Sequence, residues 1–151
     1  RVKNENNEWF ILNNKGEVVI PLGSGLMLGE AKNGLVIYEI DGKTGLMTLD
    51  GEEMIAPIYD GISMDYSSDN WFITIGDKHG MMDKTGKIIL EPKYDQINTS
   101  NSAGKFNNVS GDIFYIIEKD GKKGVFYNGK ILEPQFKSVY TANSGYVVVV
   151  K

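Results

Sequence analysis

The sequence predicts an all-β protein built from tandem units, and three observations predict it. All four prolines, Pro21, Pro57, Pro92 and Pro134, fall in one register, spaced by 36, 35 and 42 residues. A glycine stands five or six residues before each proline (Gly16, Gly51, Gly86 and Gly129), and in the last three copies another stands five or six residues earlier (Gly45, Gly80 and Gly124). Apolar pairs flank the second glycine in every copy, and no 3.6-residue periodicity runs long enough for a helix.

An apolar pair precedes each turn: Ile11 and Leu12, Leu46 and Met47, Met81 and Met82, Val125 and Phe126. A turn follows: Asn13-Asn14-Lys15-Gly16, Leu49-Asp50-Gly51, Asp83-Lys84-Thr85-Gly86 and Asn128-Gly129. Asn-Gly and Asp-Gly tolerate the positive φ that tight hairpins require. The second strand carries Val18 and Val19, Met54 and Ile55, Ile89 and Leu90, and Ile131 and Leu132. Neighbouring residues on a strand point to opposite faces, so both faces of each hairpin are expected to be covered. The proline, which cannot donate to a ladder, is expected to end the strand.

An aromatic recurs after the proline (Tyr59, Tyr94 and Phe136), and an apolar residue three positions on (Ile62, Ile97 and Val139). A linking strand then leads to the next hairpin: 35–40, 71–75, 113–117 and 146–150. Each unit therefore has three strands and room for a short fourth. The single repeat array spans 1–151, with approximate units 1–34, 35–70, 71–112 and 113–151, the last including the first strand of a following unit. Such units stabilise one another through their interfaces, and none is expected to stand alone. The expected architecture is an elongated, solenoid-like array. The alternative is a closed four-bladed β-propeller, with Val147–Val150 completing the sheet begun by Val2.

The longer third spacing places about seven extra residues in 98–112, rich in Asn, Ser and Gly, which reads as a protruding loop. Its two N-glycosylation patterns, Asn98-Thr99-Ser100 and Asn108-Val109-Ser110, read as coincidence. The chain does not begin with Met and reads as an excised piece of a longer one.

Residues 78–97, Lys-His-Gly-Met-Met-Asp-Lys-Thr-Gly-Lys-Ile-Ile-Leu-Glu-Pro-Lys-Tyr-Asp-Gln-Ile, resemble the WG repeat of bacterial proteins. The likeness runs through Gly80, Asp83, Lys84, Thr85, Gly86, Lys87, Pro92, Lys93, Tyr94, Asp95 and Ile97, and degenerate copies cover 9–21, 42–62 and 121–139. The tryptophan that names the repeat survives only as Trp9, where Phe10 replaces the glycine; elsewhere Thr44, His79 and Lys123 hold its place. The resemblance implies a binding or scaffolding role, often at a surface, and carries no catalytic residue across.

Composition narrows the function. The chain holds 16 basic and 20 acidic side chains, a net charge of −4, which does not suit the phosphate neutralisation that nucleic-acid binding needs. The charge is uneven: 1–117 hold 10 basic and 17 acidic residues, a net of −7, whereas 118–151 hold 6 and 3, a net of +3. With no cysteine, disulfides, thiolate zinc sites and Cys nucleophiles are excluded. No apolar stretch approaches the ~20 residues of a membrane helix. Both a secreted or bacterial surface setting and a cytoplasmic one suit this composition, with a lean toward the former.

His79 is the only histidine, and it reads as filler at the tryptophan position. Asp41, Asp50, Asp83 and Asp120 read as turn formers, whose carboxylates bond the local backbone. No catalytic, cofactor-binding or metal-binding set is expected, so the chain reads as non-enzymatic. The primary expectation is a binding or scaffold module for protein–protein interaction. The alternative is a carbohydrate or cell-wall module using the rings that leave the repeated frame: Tyr66, Trp71, Phe72, Tyr140 and Tyr146. Those rings could equally close the joints left by the missing tryptophans.

Overall fold

The computed structural model describes residues 2, 3, 5, 9–12, 15–22, 27–99, 113–141 and 147–151. Among them the chain is strand and turn throughout, in five antiparallel sheets. The first contains β1 (Val2–Lys3), β2 (Trp9–Leu12) and β3 (Val18–Leu22). The second contains β4 (Met27–Lys32), β5 (Leu35–Ile40), β6 (Lys43–Thr48) and β7 (Glu53–Tyr59). The third contains β8 (Gly61–Met64), β9 (Trp71–Ile75), β10 (Lys78–Met82) and β11 (Ile88–Tyr94). The fourth contains β12 (Gln96–Thr99), β13 (Tyr115–Lys119), β14 (Lys122–Tyr127) and β15 (Lys130–Phe136). The last contains β16 (Ser138–Thr141) and β17 (Val147–Val150).

This is an open, solenoid-like series, and the short fourth strand is present in each of the three complete sheets. The propeller alternative is corrected. β17 pairs with β16 and β1 with β2, in separate sheets, so Val147–Val150 does not complete the sheet begun by Val2. Asn98 and Thr99, placed by sequence in the protruding loop, belong to β12, and the rest of that loop, 100–112, lies outside the described residues.

The central turns form as the sequence dictates. At Asp41-Gly42, Asp120-Gly121 and Asn128-Gly129 both residues have positive φ, the geometry whose twist matches a tight hairpin. In the longer turn after β10, Asp83 Oδ1 accepts from Thr85 N (2.8 Å), Thr85 Oγ1 (2.6 Å) and Lys87 N (3.1 Å). The Thr85 hydroxyl above all holds this carboxyl below the usual carboxylate range.

The proline does not end its strand, which corrects the sequence expectation. Pro92 lies inside β11, and the ladder passes from Met81↔Leu90 to His79↔Tyr94, so β11 carries two extra residues opposite Gly80. The same bulge lies between Leu46↔Ile55 and Thr44↔Tyr59, and between Val125↔Leu132 and Lys123↔Phe136. A bulge is where a strand tolerates proline, because no ladder donor is needed there. The first copy has Phe10 in place of the glycine, and there the register runs straight through Trp9↔Leu22, Phe10↔Pro21 and Ile11↔Ile20. A Cβ at Gly80 would stand 2.5 Å from Leu90 O, 2.7 Å from Pro92 N and 2.9 Å from the Glu91 carbonyl carbon. The bulge and the glycine therefore go together.

Beyond the bulge, one residue carries the chain from sheet to sheet. β7 and β8 are separated only by Asp60, β11 and β12 only by Asp95, and β15 and β16 only by Lys137. Each corner amide bonds the linking strand of the following sheet: Asp60 N to Thr74 O (2.9 Å), Asp95 N to Glu118 O (2.8 Å) and Lys137 N to Val150 O (2.8 Å). The sequence units thus mark the repeat, while the sheets change at these corners.

The core lies in the joints. Leu35, Leu46, Tyr59, Ile62, Trp71, Ile73 and Met82 form one cluster between the second and third sheets. Met81, Leu90, Tyr94, Tyr115, Ile117 and Phe126 form another between the third and fourth. Successive residues such as Met81 and Met82 enter different clusters, because alternate side chains leave opposite faces of β10.

Candidate functional site

The segment 65–70, between β8 and β9, gathers polar groups from three sheets. Asp65 is buried, and its carboxylate accepts from Ser67 N (2.9 Å), Ser68 Oγ (2.5 Å) and Tyr115 Oη (2.5 Å). Tyr115 Oη also lies 3.0 Å from Ser68 Oγ, and Asn70 Nδ2 donates to it at 3.4 Å. From the second sheet, Lys32 Nζ donates to Asp65 O (2.6 Å) and to Ser68 O, while Asn33 Nδ2 donates to Asp69 Oδ1 (2.9 Å). Burial, then the hydrogen bond to Asp65, pushes the Tyr115 hydroxyl up to about 12. A buried carboxylate with this many donors is satisfied, and its chemistry is cohesion.

Two clefts flank this node. One, of about 330 Å³, is lined by Met64, Asp65, Tyr66, Phe72, Ile97 and Asn98 among others. The second, of about 400 Å³, lies between Ser68 and Asn70 on one side and Ile89, Phe126 and Asn128 on the other.

The five aromatics singled out from sequence separate here. Tyr66 and Phe72 come together in the first cleft. Tyr66 is 79% exposed, and its hydroxyl donates to Glu30 Oε2 at 2.7 Å. Phe72 is half-buried and meets the Tyr115 ring edge-on at 6.3 Å. Trp71 is only 1% exposed and packs in the joint between the second and third sheets, so it presents no ring face to a ligand. Alternation along β9 explains the split: Trp71 and Phe72 are neighbours and leave opposite faces. Tyr140, 57% exposed, stands on β16, away from the others, and Tyr146 lies outside the described residues.

The former tryptophan positions face the recurrent aromatic across the hairpin, as Thr44↔Tyr59, His79↔Tyr94 and Lys123↔Phe136. His79 Nδ1 lies 3.2 Å from Thr74 Oγ1 on the neighbouring strand. Among the described residues no group of three or more His, Asp or Glu side chains is placed to hold a metal ion. No helix there is long and apolar enough to cross a membrane.

Sequence reasoning missed the corner clasps. Asp60 Oδ1 pairs with Lys43 Nζ at 2.5 Å, and its Oδ2 accepts from Gly76 N at 2.7 Å. Asp95 Oδ1 pairs with Lys78 Nζ at 2.7 Å, and its Oδ2 accepts from Asp120 N at 2.7 Å. Each corner carboxylate thus ties its own sheet to the first turn of the next, and its lysine partner first, then the backbone amide, holds it below the usual range. The signal was available: a Tyr-Asp pair recurs at 59–60 and 94–95, and a Lys two residues before each bulge glycine accompanies it. The last copy keeps Lys122 but has Lys137 at the corner.

The repeated hairpin, bulge proline and corner define a class of β-repeat protein. Residues 80–122 match the family described as WG containing repeat, so this segment is similar to that family. The match begins at the bulge glycine of the third sheet and ends at Lys122 in β14. Comparison with curated proteins and with solved structures gave no match.

Proposed function

We propose that the array is a non-enzymatic binding or scaffold module that mediates protein–protein interaction. One observation carries the reading: β16 and β17 present exposed apolar side chains on one face. Tyr140 pairs with Val148 across β16 and β17, Val150 lies two residues further along the same face, and all three are exposed. Val139 and Val149, on the opposite face, pack against the core beneath. Exposed contiguous apolar surface on an otherwise well-packed chain is the ordinary mark of a protein contact site.

The test is retention of partner proteins on immobilised chain, compared with the double variant Tyr140→Ser/Val148→Ser. Selective loss of retained proteins by the variant supports the reading; no retention by either chain ends it.

The Tyr66–Phe72 cleft favours a second reading, a carbohydrate or cell-wall-binding module, because it sets ring surface beside the polar groups of Ser67, Asn98 and Thr99. Trp71 has no part in it. Binding to a glycan array or to peptidoglycan that is unchanged by Tyr66→Ala sinks this alternative.

A further inference from the structure

The cleft beside Tyr66 is rigid, half apolar, and without a cation. Its walls come from paired strands of two sheets: Met64 on β8, Phe72 on β9, and Ile97 and Asn98 on β12. The ladders hold them in register, as Met64↔Trp71, Ser63↔Phe72 and Asn98↔Ile116. Tyr66 is 79% exposed, yet its hydroxyl is tied to Glu30 Oε2 of the second sheet at 2.7 Å. An open ring face fixed at one end is preorganised for stacking, so little ordering entropy is lost when a ligand covers it.

Charge decides the class of ligand. Asp65 is the only charged residue lining the cleft among the described residues. It is 1% exposed, and Ser67 N, Ser68 Oγ and Tyr115 Oη all donate to its carboxylate. Lys32 Nζ is occupied by the main-chain carbonyls of Asp65 and Ser68. A ligand carboxylate or phosphate would therefore lose its hydration without gaining a counter-charge, with Glu30 close by. The cleft suits an uncharged ligand.

Shape decides the rest. A volume of about 330 Å³ lies at the low end of the about 300–1,000 Å³ of small-molecule sites, room for one ring with a short substituent. Met64, Phe72 and Ile97, all half-buried, form an apolar recess. A plain hexose would turn hydroxyls against this recess and leave them unpaired. An acetamido methyl covers it instead. The Asn98 side chain, exposed on β12, carries both donors and an acceptor, the complement of an acetamido amide.

We propose that this cleft binds a neutral N-acetylhexosamine unit of a glycan. The pyranose ring stacks on Tyr66, the acetamido methyl enters the recess of Met64, Phe72 and Ile97, and the acetamido amide pairs with Asn98. This rests on the carbohydrate reading above and names its sugar.

Isothermal titration of the full chain with chitotriose, cellotriose and trigalacturonic acid tests it. Chitotriose is expected to bind at least about tenfold more tightly than cellotriose, the discrimination that one added apolar group gives in a fitting pocket. Trigalacturonic acid is expected not to bind. Tyr66→Ala is expected to weaken chitotriose by at least about fivefold through lost stacking. Asn98→Ala is expected to weaken chitotriose alone and so narrow its lead over cellotriose. Both side chains are exposed, so both variants are expected to keep the fold, which thermal unfolding checks. Equal affinity for chitotriose and cellotriose, both lost in Tyr66→Ala, refutes the acetamido assignment and leaves the carbohydrate reading standing. Chitotriose binding unchanged by Asn98→Ala, or binding of the acid as tight as that of chitotriose, overturns the proposal in the same way. No binding of either neutral sugar, or binding unaffected by Tyr66→Ala, removes the carbohydrate reading and the proposal with it.

Discussion

Replacing Gly80 with alanine tests the central claim of the fold, that the bulge around Pro92 exists because nothing occupies the space opposite it. The added Cβ would meet three backbone atoms, Leu90 O at 2.5 Å, Pro92 N at 2.7 Å and the Glu91 carbonyl carbon at 2.9 Å. No flexible side chain is available to yield, and Leu90 on the far side of the bulge is fixed in the joint between the third and fourth sheets. Overpacking of this kind typically costs about 1–3 kcal/mol, and rigid backbone neighbours place Gly80→Ala at the upper end. For a domain of this size each kcal/mol lowers Tm by roughly 2–4 °C, so a fall of about 6–12 °C is expected. Gly61→Ala is the control. Its nearest neighbours would be Thr74 Cβ at 3.8 Å and Oγ1 at 3.9 Å, ordinary contacts, and its φ lies outside the left-handed region. There alanine is expected to be neutral or to stabilise by about 0.4–1 kcal/mol, through the unfolded chain. Urea unfolding of both variants, with thermal scans alongside, provides the measurement. Gly80→Ala as stable as wild type, or Gly61→Ala equally damaged, refutes the steric account of the bulge.

Tyr115→Phe keeps the ring and removes the hydroxyl that Asp65 accepts from, so it is expected to cost about 1.5–3 kcal/mol in urea unfolding, the range for hydrogen bonds to charged groups. The same hydroxyl sets an alkaline limit. Its pKa is raised in the folded state from about 10 to about 12, so its contribution is intact below pH 10 and is lost as pH rises through 12; the phenylalanine variant should show a flatter fall across that window. The corner carboxylates act in the opposite sense. The folded-state pKa values of Asp60 and Asp95 are depressed, so their contribution is present above the ordinary carboxylate value and is lost as pH falls below it; Tm measured from pH 5 down to pH 2 should drop less steeply in Asp95→Asn than in wild type. Trp71→Ala is expected to cost about 3–5 kcal/mol as a buried aromatic truncation, and the wild-type Trp71 fluorescence should be blue-shifted; emission typical of solvent-exposed indole would contradict its placement in the joint.

Much of the fold was legible because its determinants are local. Asn128-Gly129 and Asp83 to Gly86 fix hairpin turns through backbone conformations that few other residues adopt, and alternation along each strand follows from the pleat. The proline register was legible, but its meaning was not. Pro92 looked like a strand terminator, and only the ladder shows that Gly80 makes room for a bulge through which the strand continues. The candidate site was legible in part. Tyr66 and Tyr140 are exposed, whereas Trp71 is buried, and no pattern within β9 tells which face of that strand meets another sheet. Asp65 was invisible from sequence, since its partners Lys32 and Tyr115 lie 33 and 50 residues away.

The sequence alone determined the period, the turns, the strand order within each hairpin and the likeness of residues 80–122 to the WG containing repeat. Those properties depend on φ, on missing amide protons and on missing Cβ atoms, each carried by one residue at one place. The tertiary structure decided what covers what. Leu90 and Leu132 occupy the same position in the repeat, yet one is sealed by the next sheet and the other stands open. Asp95 and Lys137 occupy the same corner, yet only one closes a clasp between sheets. Burial and ion pairing belong to pairs of residues brought together across sheets, and such pairs exist only once the array has folded.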